Sequence, residues 1–335
     1  MNDERVPEKS VPILAIAAIA LSLGLFTTIA HVGQLGVYYL EEGGQLGRHL
    51  AVLQGQAGNP WQYRVLAPHL IEGIIALFKQ LAIPYPTAVA FVFSRVVLDT
   101  FVLLLAYEYY RRLGLPLPHA LLGMAVLAWG ISYSHYDSDL QFNTFFDVIF
   151  YLLAALCILQ GRYRWIIPIT LLAALNRETS GLIPFLLPAA VWAARPGSVR
   201  RVLPIAGAAL ATYVAVWAGL RLAYGSQELF IPYGHRPGLE LLQYNLLRTV
   251  TWWQLIATLN IVPLIGLLAY RRWPPQLRAF FWTIVPVWFV VHALGAVMAE
   301  TRLFLVPQAL VFIPAALWAL SRPAHAAEPF APRPR

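Results

Sequence analysis

Charged residues are scarce in this 335-residue chain: Asp, Glu, Lys and Arg make up 12% of it, against about 25% in a soluble globular domain. Hydrophobic residues make up 59%, and the mean hydropathy is +0.63. No polar stretch approaches the roughly 50 residues that a separate soluble domain needs. The composition therefore excludes a soluble protein and indicates an integral membrane protein with several spans.

Several chemical signatures are missing as well. The chain has one cysteine, Cys157, so it cannot form an internal disulfide. It lacks the Cys and His spacings of zinc sites, the glycine-rich loops that hold phosphate and the Gly-x-Ser-x-Gly turn of serine hydrolases. The net charge of +8 does not indicate nucleic-acid binding, because most of the Lys and Arg residues lie in short loops beside apolar runs, as the positive-inside rule requires.

Apolar runs predict the fold class. A membrane-spanning helix needs about 20 mainly apolar residues, and the runs predict an all-α, polytopic membrane protein with about ten membrane helices. The predicted segments are 11–38, 87–110, 118–135, 143–160, 165–176, 180–194, 202–224, 250–270, 279–299 and 303–321. We expect residues 1–321 to form a single transmembrane domain, with its first run an uncleaved anchor. The Pro/Ala-rich tail, 322–335, is predicted to be disordered and cytoplasmic.

Basic clusters predict the topology. If 66–83 spanned the membrane, Arg111 and Arg112 would lie outside and every later loop would invert. Glu72 and Lys79 instead suit an amphipathic helix at the outer surface. This arrangement gives a large first outer loop, 39–86, and places both termini in the cytoplasm. We therefore expect a multi-pass protein of the plasma membrane.

A short helical hairpin is predicted at 165–194. The stretch is apolar except for Asn-Arg-Glu-Thr in its middle, and arginines flank it on both sides. Equal charge at both ends requires the segment to enter and return, with residues 176–179 at the bend. A charge at such depth costs at least ~2.5–3.5 kcal/mol. Arg177 and Glu178 are therefore candidates for substrate binding, with a salt bridge between them as the structural alternative.

Other polar residues cluster at predicted outer turns. Asp137 and Asp139 lie in the segment 134–142, and Glu300 and Arg302 join two late helices. Carboxylates there are able to act as a general base or to hold a divalent cation, and arginine is able to clamp a lipid phosphate. The structural alternatives are solvated loop carboxylates and charges that simply end two helices. No cofactor or metal is assigned.

Three passages carry a resemblance to a known family. They read WQYRVLAP at 61–68, ALNRETSGLIPFLL at 174–187 and ETRLFLVP at 300–307. Together they resemble bacterial polytopic proteins grouped with the GT-C superfamily of integral membrane glycosyltransferases. The resemblance implies transfer of a sugar from a polyprenyl-phosphate-linked donor on the outer face.

The resemblance also implies roles for single residues. Arg177 would contact the donor phosphate, Arg64 would shape the acceptor side, and Arg302 would assist phosphate binding, near Glu178 and Glu300. The family's general base is an acidic residue near the end of the first helix, where this chain has Gln34. The candidates for the catalytic base are therefore Glu41, Glu42, Asp137 and Asp139.

Two other functions fit the same sequence. A transporter or flippase for a lipid-linked or anionic substrate would also contain buried charges, and a non-catalytic scaffold subunit would tolerate the missing aspartate. Convergence of the candidate residues in one outer cavity would favour the enzyme. The expected partners are a lipid-linked sugar donor and membrane lipids, with no nucleic acid; the sequence sets neither the sugar nor the oligomeric state.

Overall fold

The computed structural model describes residues 12–321, and all regular secondary structure in that range is helical, which confirms the predicted all-α class there. The helices are α1 Ile13–Leu35, α2 Val37–Glu41, α3 Gly44–Leu53, α4 Leu66–Gln80, α5 Pro86–Arg112, α6 Leu117–Tyr133, α7 Phe142–Leu159, α8 Ile166–Ala174, α9 Ile183–Ala194, α10 Val199–Tyr224, α11 Leu239–Leu247, α12 Thr249–Leu259, α13 Val262–Leu268, α14 Pro275–Gly295 and a final segment Thr301–Leu320. The predictions for the tail, 322–335, concern residues outside the described range.

Six of these elements are long and apolar enough to cross a membrane: α1, α5, α7, α10, α14 and the final segment. The pair α12 and α13 makes a seventh if it is taken as one span. Helices α6, α8 and α9 are apolar but shorter, and α4, with 15 residues, is not among the candidate spans. The chain is thus a polytopic membrane protein, and the count of ten stays a prediction.

The segment predicted as one span at 250–270 is bent. α12 and α13 meet at 68°, because Asn260 between them adopts a left-handed φ of 58° and Pro263 opens α13. Proline has no N–H to continue the hydrogen bonds of the preceding helix. The span predicted at 250–270 is therefore a bent pair of helices, which makes one span if the two are taken together.

Arg95 of α5 holds the loop that carries Asp139. Within α5, Arg95 Nε donates to Asp99 Oδ2 over 2.9 Å, with both side chains fully buried, so the two charges neutralise each other. Thr27 of α1 donates to the same carboxylate over 2.7 Å. Arg95 Nη1 also donates to the carbonyl of Leu140 over 2.7 Å, so a charge at membrane depth holds the backbone beside Asp139.

The final segment contains one π-helical stretch, Gln308–Phe312. The hydroxyls of Tyr109 and Tyr110 on α5 donate to the carbonyls of Leu310 and Ala309, over 2.8 and 3.1 Å. These bonds satisfy backbone acceptors where the regular α-helical ladder is interrupted. The whole stretch is buried.

Connectivity gives the bundle two ends. One end, which we call the candidate-site end, carries the turn between α6 and α7, the turn between α8 and α9, and the residues after α14. The opposite end, which we call the basic end, carries ten arginines, and among the described residues its one carboxylate is Glu108. These arginines are Arg111, Arg112, Arg162, Arg164, Arg195, Arg200, Arg201, Arg271, Arg272 and Arg278. The distribution suits a basic end that faces the cytoplasm, although the sidedness itself stays a prediction.

Candidate functional site

Asp139 lies at the centre of the candidate site. Arg48 of α3 pairs with its Oδ2 over 2.6 Å, and Arg302 pairs with its Oδ1 over 3.1 Å. The backbone N–H of Gln141 donates to Oδ1 over 2.8 Å. Arg302 also donates to Glu300 Oε2 over 2.5 Å. Two carboxylates and two guanidiniums are therefore held together by residues from three distant parts of the chain.

These contacts determine the charge state of Asp139. Burial raises the pKa of its carboxyl, but Arg48, Arg302 and the Gln141 N–H outweigh burial and hold the pKa well below its usual range. The residue is 8% exposed. In the unliganded protein Asp139 is thus an ionised, doubly paired carboxylate, and both arginines are neutralised by acids.

The hairpin turn holds a second pair. Arg177 Nη1 pairs with Asp147 Oδ2 of α7 over 2.9 Å, and the two side chains are 3% and 1% exposed. Asn176 Nδ2 donates to the other oxygen of Asp147 over 3.0 Å, and Arg177 Nη2 reaches Thr144 over 3.3 Å. The charged turn of the hairpin is therefore fastened to α7.

Glu178 points elsewhere. It accepts two hydrogen bonds from Arg64, from Nη2 over 3.0 Å and from Nε over 3.2 Å. The expected alternative of a salt bridge between Arg177 and Glu178 was wrong, because each side chain has a different partner. The backbone of Arg177 is extended, with φ -162° and ψ 149°, and successive side chains of an extended backbone point in opposite directions.

Trp61 joins the two groups of charges. Its ring lies 4.6 Å from the Cζ of Arg48, 4.9 Å from that of Arg64 and 5.9 Å from that of Arg302. Guanidiniums at such distances are attracted to the indole face. Membership of an interfacial aromatic belt, a common role of tryptophan in membrane proteins, does not account for this position between three arginines.

Local hydrogen bonds fix the segment that carries Trp61. Gln62 is fully buried, donates to the carbonyl of Val52 over 3.0 Å and accepts from the N–H of Ala57 over 2.9 Å. The N–H of Leu66 donates to the carbonyl of Leu175 over 3.0 Å. The first outer loop is thereby tied to the hairpin turn, as Arg64 and Glu178 are tied through their side chains.

Unpaired polar atoms remain around this cluster. A cavity of about 30 Å³ is lined by Arg48, Trp61, Asp139 and Asn143. Buried atoms without a hydrogen-bond partner include the Nε atoms of Arg177 and Arg302 and the oxygens Asn143 Oδ1, Asn176 Oδ1 and Glu178 Oε1. Buried polar groups normally have partners, so the arrangement retains donors and acceptors for a polar ligand.

Comparison with known proteins adds no relative. No protein-family model, curated protein or solved structure matches the chain. The geometry of the site and the sequence resemblance therefore carry the functional argument.

Three predicted base candidates lie outside the cluster. Glu42 is exposed, and Glu41 lines a separate apolar groove with Val32 and Phe93. Asp137 is exposed and accepts a hydrogen bond from Tyr233. The cluster of charges thus contains Asp139, Glu300, Arg302, Arg64, Arg177 and Glu178, but not these three. Of the six, Asp139 lines the cavity of about 30 Å³, so convergence in one outer cavity stays a prediction.

Three residues of the cluster were not among the predicted site residues: Arg48, Trp61 and Asp147. Arg48 is a half-buried charge on α3, and its neighbours Gln45 and His49 are buried polar residues of the same helix. The sequence shows only that Gln45, Arg48 and His49 recur at three- and four-residue spacing, which places them on one face of a helix. Asp147, within an apolar helix, was the natural partner for a charge in the neighbouring hairpin.

The possibility of a divalent cation rested on the loop carboxylates. Within residues 12–321 no group of three or more His, Cys, Asp and Glu side chains is arranged to hold a metal ion. Asp139, Glu300, Asp147 and Glu178 each accept from an arginine instead. The donor set around Asp139 therefore suits an anion-binding site better than a cation-binding one.

Proposed function

We propose that the chain is a membrane glycosyltransferase of the GT-C type, which takes a sugar from a polyprenyl-phosphate-linked donor at the outer face of the plasma membrane. The observation that supports this most directly is the buried Asp139 between Arg48 and Arg302, beside the ring of Trp61. Under this proposal the bundle has ten membrane helices and cytoplasmic termini, so that the candidate-site end faces outward.

The two arginines receive the donor phosphate. Both guanidiniums present a planar fork that matches a phosphate group. In the protein without donor, each guanidinium binds the Asp139 carboxylate instead of a phosphate. When the phosphate of the donor takes over Arg48 and Arg302, Asp139 loses the partners that depress its pKa. Donor binding thereby converts a poor base into a competent one.

The chemical step then uses this free carboxylate. A hydroxyl oxygen of the acceptor forms a bond to the anomeric carbon, and the bond between that carbon and the phosphate oxygen breaks. The hydroxyl proton passes to Asp139, and polyprenyl phosphate leaves with its negative charge held by the two arginines. Glu300 keeps Arg302 oriented through the 2.5 Å hydrogen bond.

The hairpin supplies position and further positive charge. Arg177 is held by Asp147 and Thr144, and its Nε is buried without a hydrogen-bond partner. Arg64 is 13% exposed and stacks on Trp61, so we assign it to the acceptor side of the site.

A direct assay tests the proposal. Purified full-length protein in lipid nanodiscs is incubated with a panel of polyprenyl-phosphate sugars and a membrane extract that supplies acceptors, and released polyprenyl phosphate is measured. Loss of a general base lowers rates by roughly 10²–10⁴-fold, so Asp139→Asn should abolish release. Asp137→Asn makes the same chemical change two residues away at an exposed position and should leave the rate unchanged.

A second variant separates an effect on donor binding from an effect on folding. Arg302→Lys keeps the charge but loses the fork, and it should raise the KM for the donor while the thermal unfolding midpoint stays close to that of wild type. Full activity of Asp139→Asn, or no release from any donor of the panel, would contradict the proposal.

A further inference from the structure

A second polar cavity lies at the basic end of the bundle, away from Asp139. It has a volume of about 210 Å³ and lies between the ends of α7 and α9 and the starts of α10 and α14. Its polar lining comes from Tyr163, Arg195, Ser198, Arg201 and Gln276. A single water needs only roughly 10–15 Å³, so the cavity has room for a much larger group.

Gln276 points to a ligand in this cavity. The residue is 4% exposed and lines the cavity, yet its side-chain amide makes no hydrogen bond to any other described residue. The hydroxyls of Tyr163 and Ser198 likewise make none within the described part of the chain. Buried polar groups are normally paired, and Gln276 is the buried one of the three, whereas Tyr163 and Ser198 are half-buried. Three hydrogen-bonding groups that face one space favour a polar occupant.

The positive charge of the cavity lining determines the sign of the charge on the ligand. Arg201 makes no ion pair among the described residues, and Arg195 lines the same cavity. The Arg201 guanidinium therefore favours an anion, and phosphate is an anion that the planar fork of arginine binds well.

The rest of the lining is apolar. Ile158, Val191 and Val202 line the cavity between helices that are apolar enough to lie in a membrane. We propose that the cavity binds the phosphate group of an anionic membrane lipid, with the lipid's apolar part along these side chains. Basic pockets between helices at a cytoplasmic surface are suited to such headgroups. This binding is independent of the proposed sugar transfer.

The experiment uses neighbouring arginines as matched variants. Full-length protein is released from nanodiscs that contain phosphatidylglycerol or phosphatidylcholine, and retained lipid is counted by native mass spectrometry. Arg201→Gln should weaken retention of phosphatidylglycerol about tenfold, since one charge-assisted bond to phosphate is lost. Arg200→Gln removes the same charge from an exposed residue that does not line the cavity, and it should retain the lipid like wild type.

The remaining arms identify the source of the phosphate. Gln276→Leu should weaken phosphatidylglycerol retention without changing net charge. Equal losses in Arg201→Gln and Arg200→Gln, or equal retention of the two lipids by wild type, would overturn the lipid site. Binding of inorganic phosphate that depends on Arg201, without preference between the lipids, would keep the phosphate site but transfer it to a soluble ligand. A failed sugar-transfer assay leaves all these readouts unaffected.

Discussion

Replacement of Arg177 by methionine tests how charges are held in the hairpin. The Arg177 and Asp147 side chains are 3% and 1% exposed, with Nη1 and Oδ2 2.9 Å apart. Methionine fills much of the same volume but carries no charge. The Asp147 carboxylate would then keep only Asn176 Nδ2 at 3.0 Å and a long contact of 3.4 Å to Thr179.

The expected cost follows from that burial. Removing one partner of a buried ion pair costs about 3–5 kcal/mol, because the other charge stays buried without its counter-ion. Arg177→Met combined with Asp147→Asn leaves no charge, and the new amide still has an oxygen to accept from Asn176. We expect the double variant to lose about 1–2 kcal/mol, as for one or two neutral hydrogen bonds. The coupling between the two changes should therefore be at least about 2 kcal/mol.

The measurement is reversible unfolding of purified protein in mixed micelles, followed by circular dichroism as the denaturing detergent is increased. Arg64→Met is the matched control, because the side chains of Arg64 and Glu178 are 13% and 28% exposed; it should cost about 1 kcal/mol or less. The reasoning fails if the coupling between Arg177 and Asp147 is below about 0.5 kcal/mol, or if Arg64→Met costs as much as Arg177→Met.

Three further predictions concern charge, topology and Trp61. The pKa of Asp139 is depressed in the folded protein, so the stabilisation that this carboxylate gives is complete above the unfolded pKa of about 3.9 and is lost as the pH falls towards the folded value. The difference in free energy of unfolding between wild type and Asp139→Asn should therefore stay constant from about pH 8 to pH 5 and decrease below about pH 4. A transition near pH 6 would contradict this. In a Cys157→Ser background, Glu42→Cys should react with an impermeant thiol reagent only from outside and Gly197→Cys only from the cytoplasm, and labelling of both from one side would refute the topology. Trp61→Leu should lower the free energy of unfolding by about 1–3 kcal/mol through lost contacts with three guanidiniums, and an unchanged unfolding curve would argue against that stacking.

The class of fold was readable from the sequence, because backbone groups in a membrane must bond within their own helix and long apolar runs leave few other solutions. The hairpin was also predictable from the sequence. α8 and α9 are each too short to span, and arginines lie before the start of α8 and after the end of α9. The bend at Asn260 was not, since it depends on one left-handed residue in an apolar run.

The sequence did not predict which residues of the site pair with one another. Arg302 and Asp139 are 163 residues apart, and hydropathy contains no information about which helices are neighbours. Asp137 and Asp139 were equivalent in the sequence, but the left-handed φ of 46° at Asp137 turns the chain between them. One carboxylate is consequently exposed and the other buried.

The π-helical stretch Gln308–Phe312 lies between the turn that carries Arg302 and the half of the final segment that begins at Ile313. Each residue of an α-helix turns the chain by about 100°, and a π turn holds about one residue more than an α turn. Loss of one residue within the stretch would therefore restore α-helical hydrogen bonding with little rotation of Arg302 relative to the half beyond Ile313. The wide turn absorbs one extra residue in place, so that Arg302 keeps the angular position at which it pairs with Asp139.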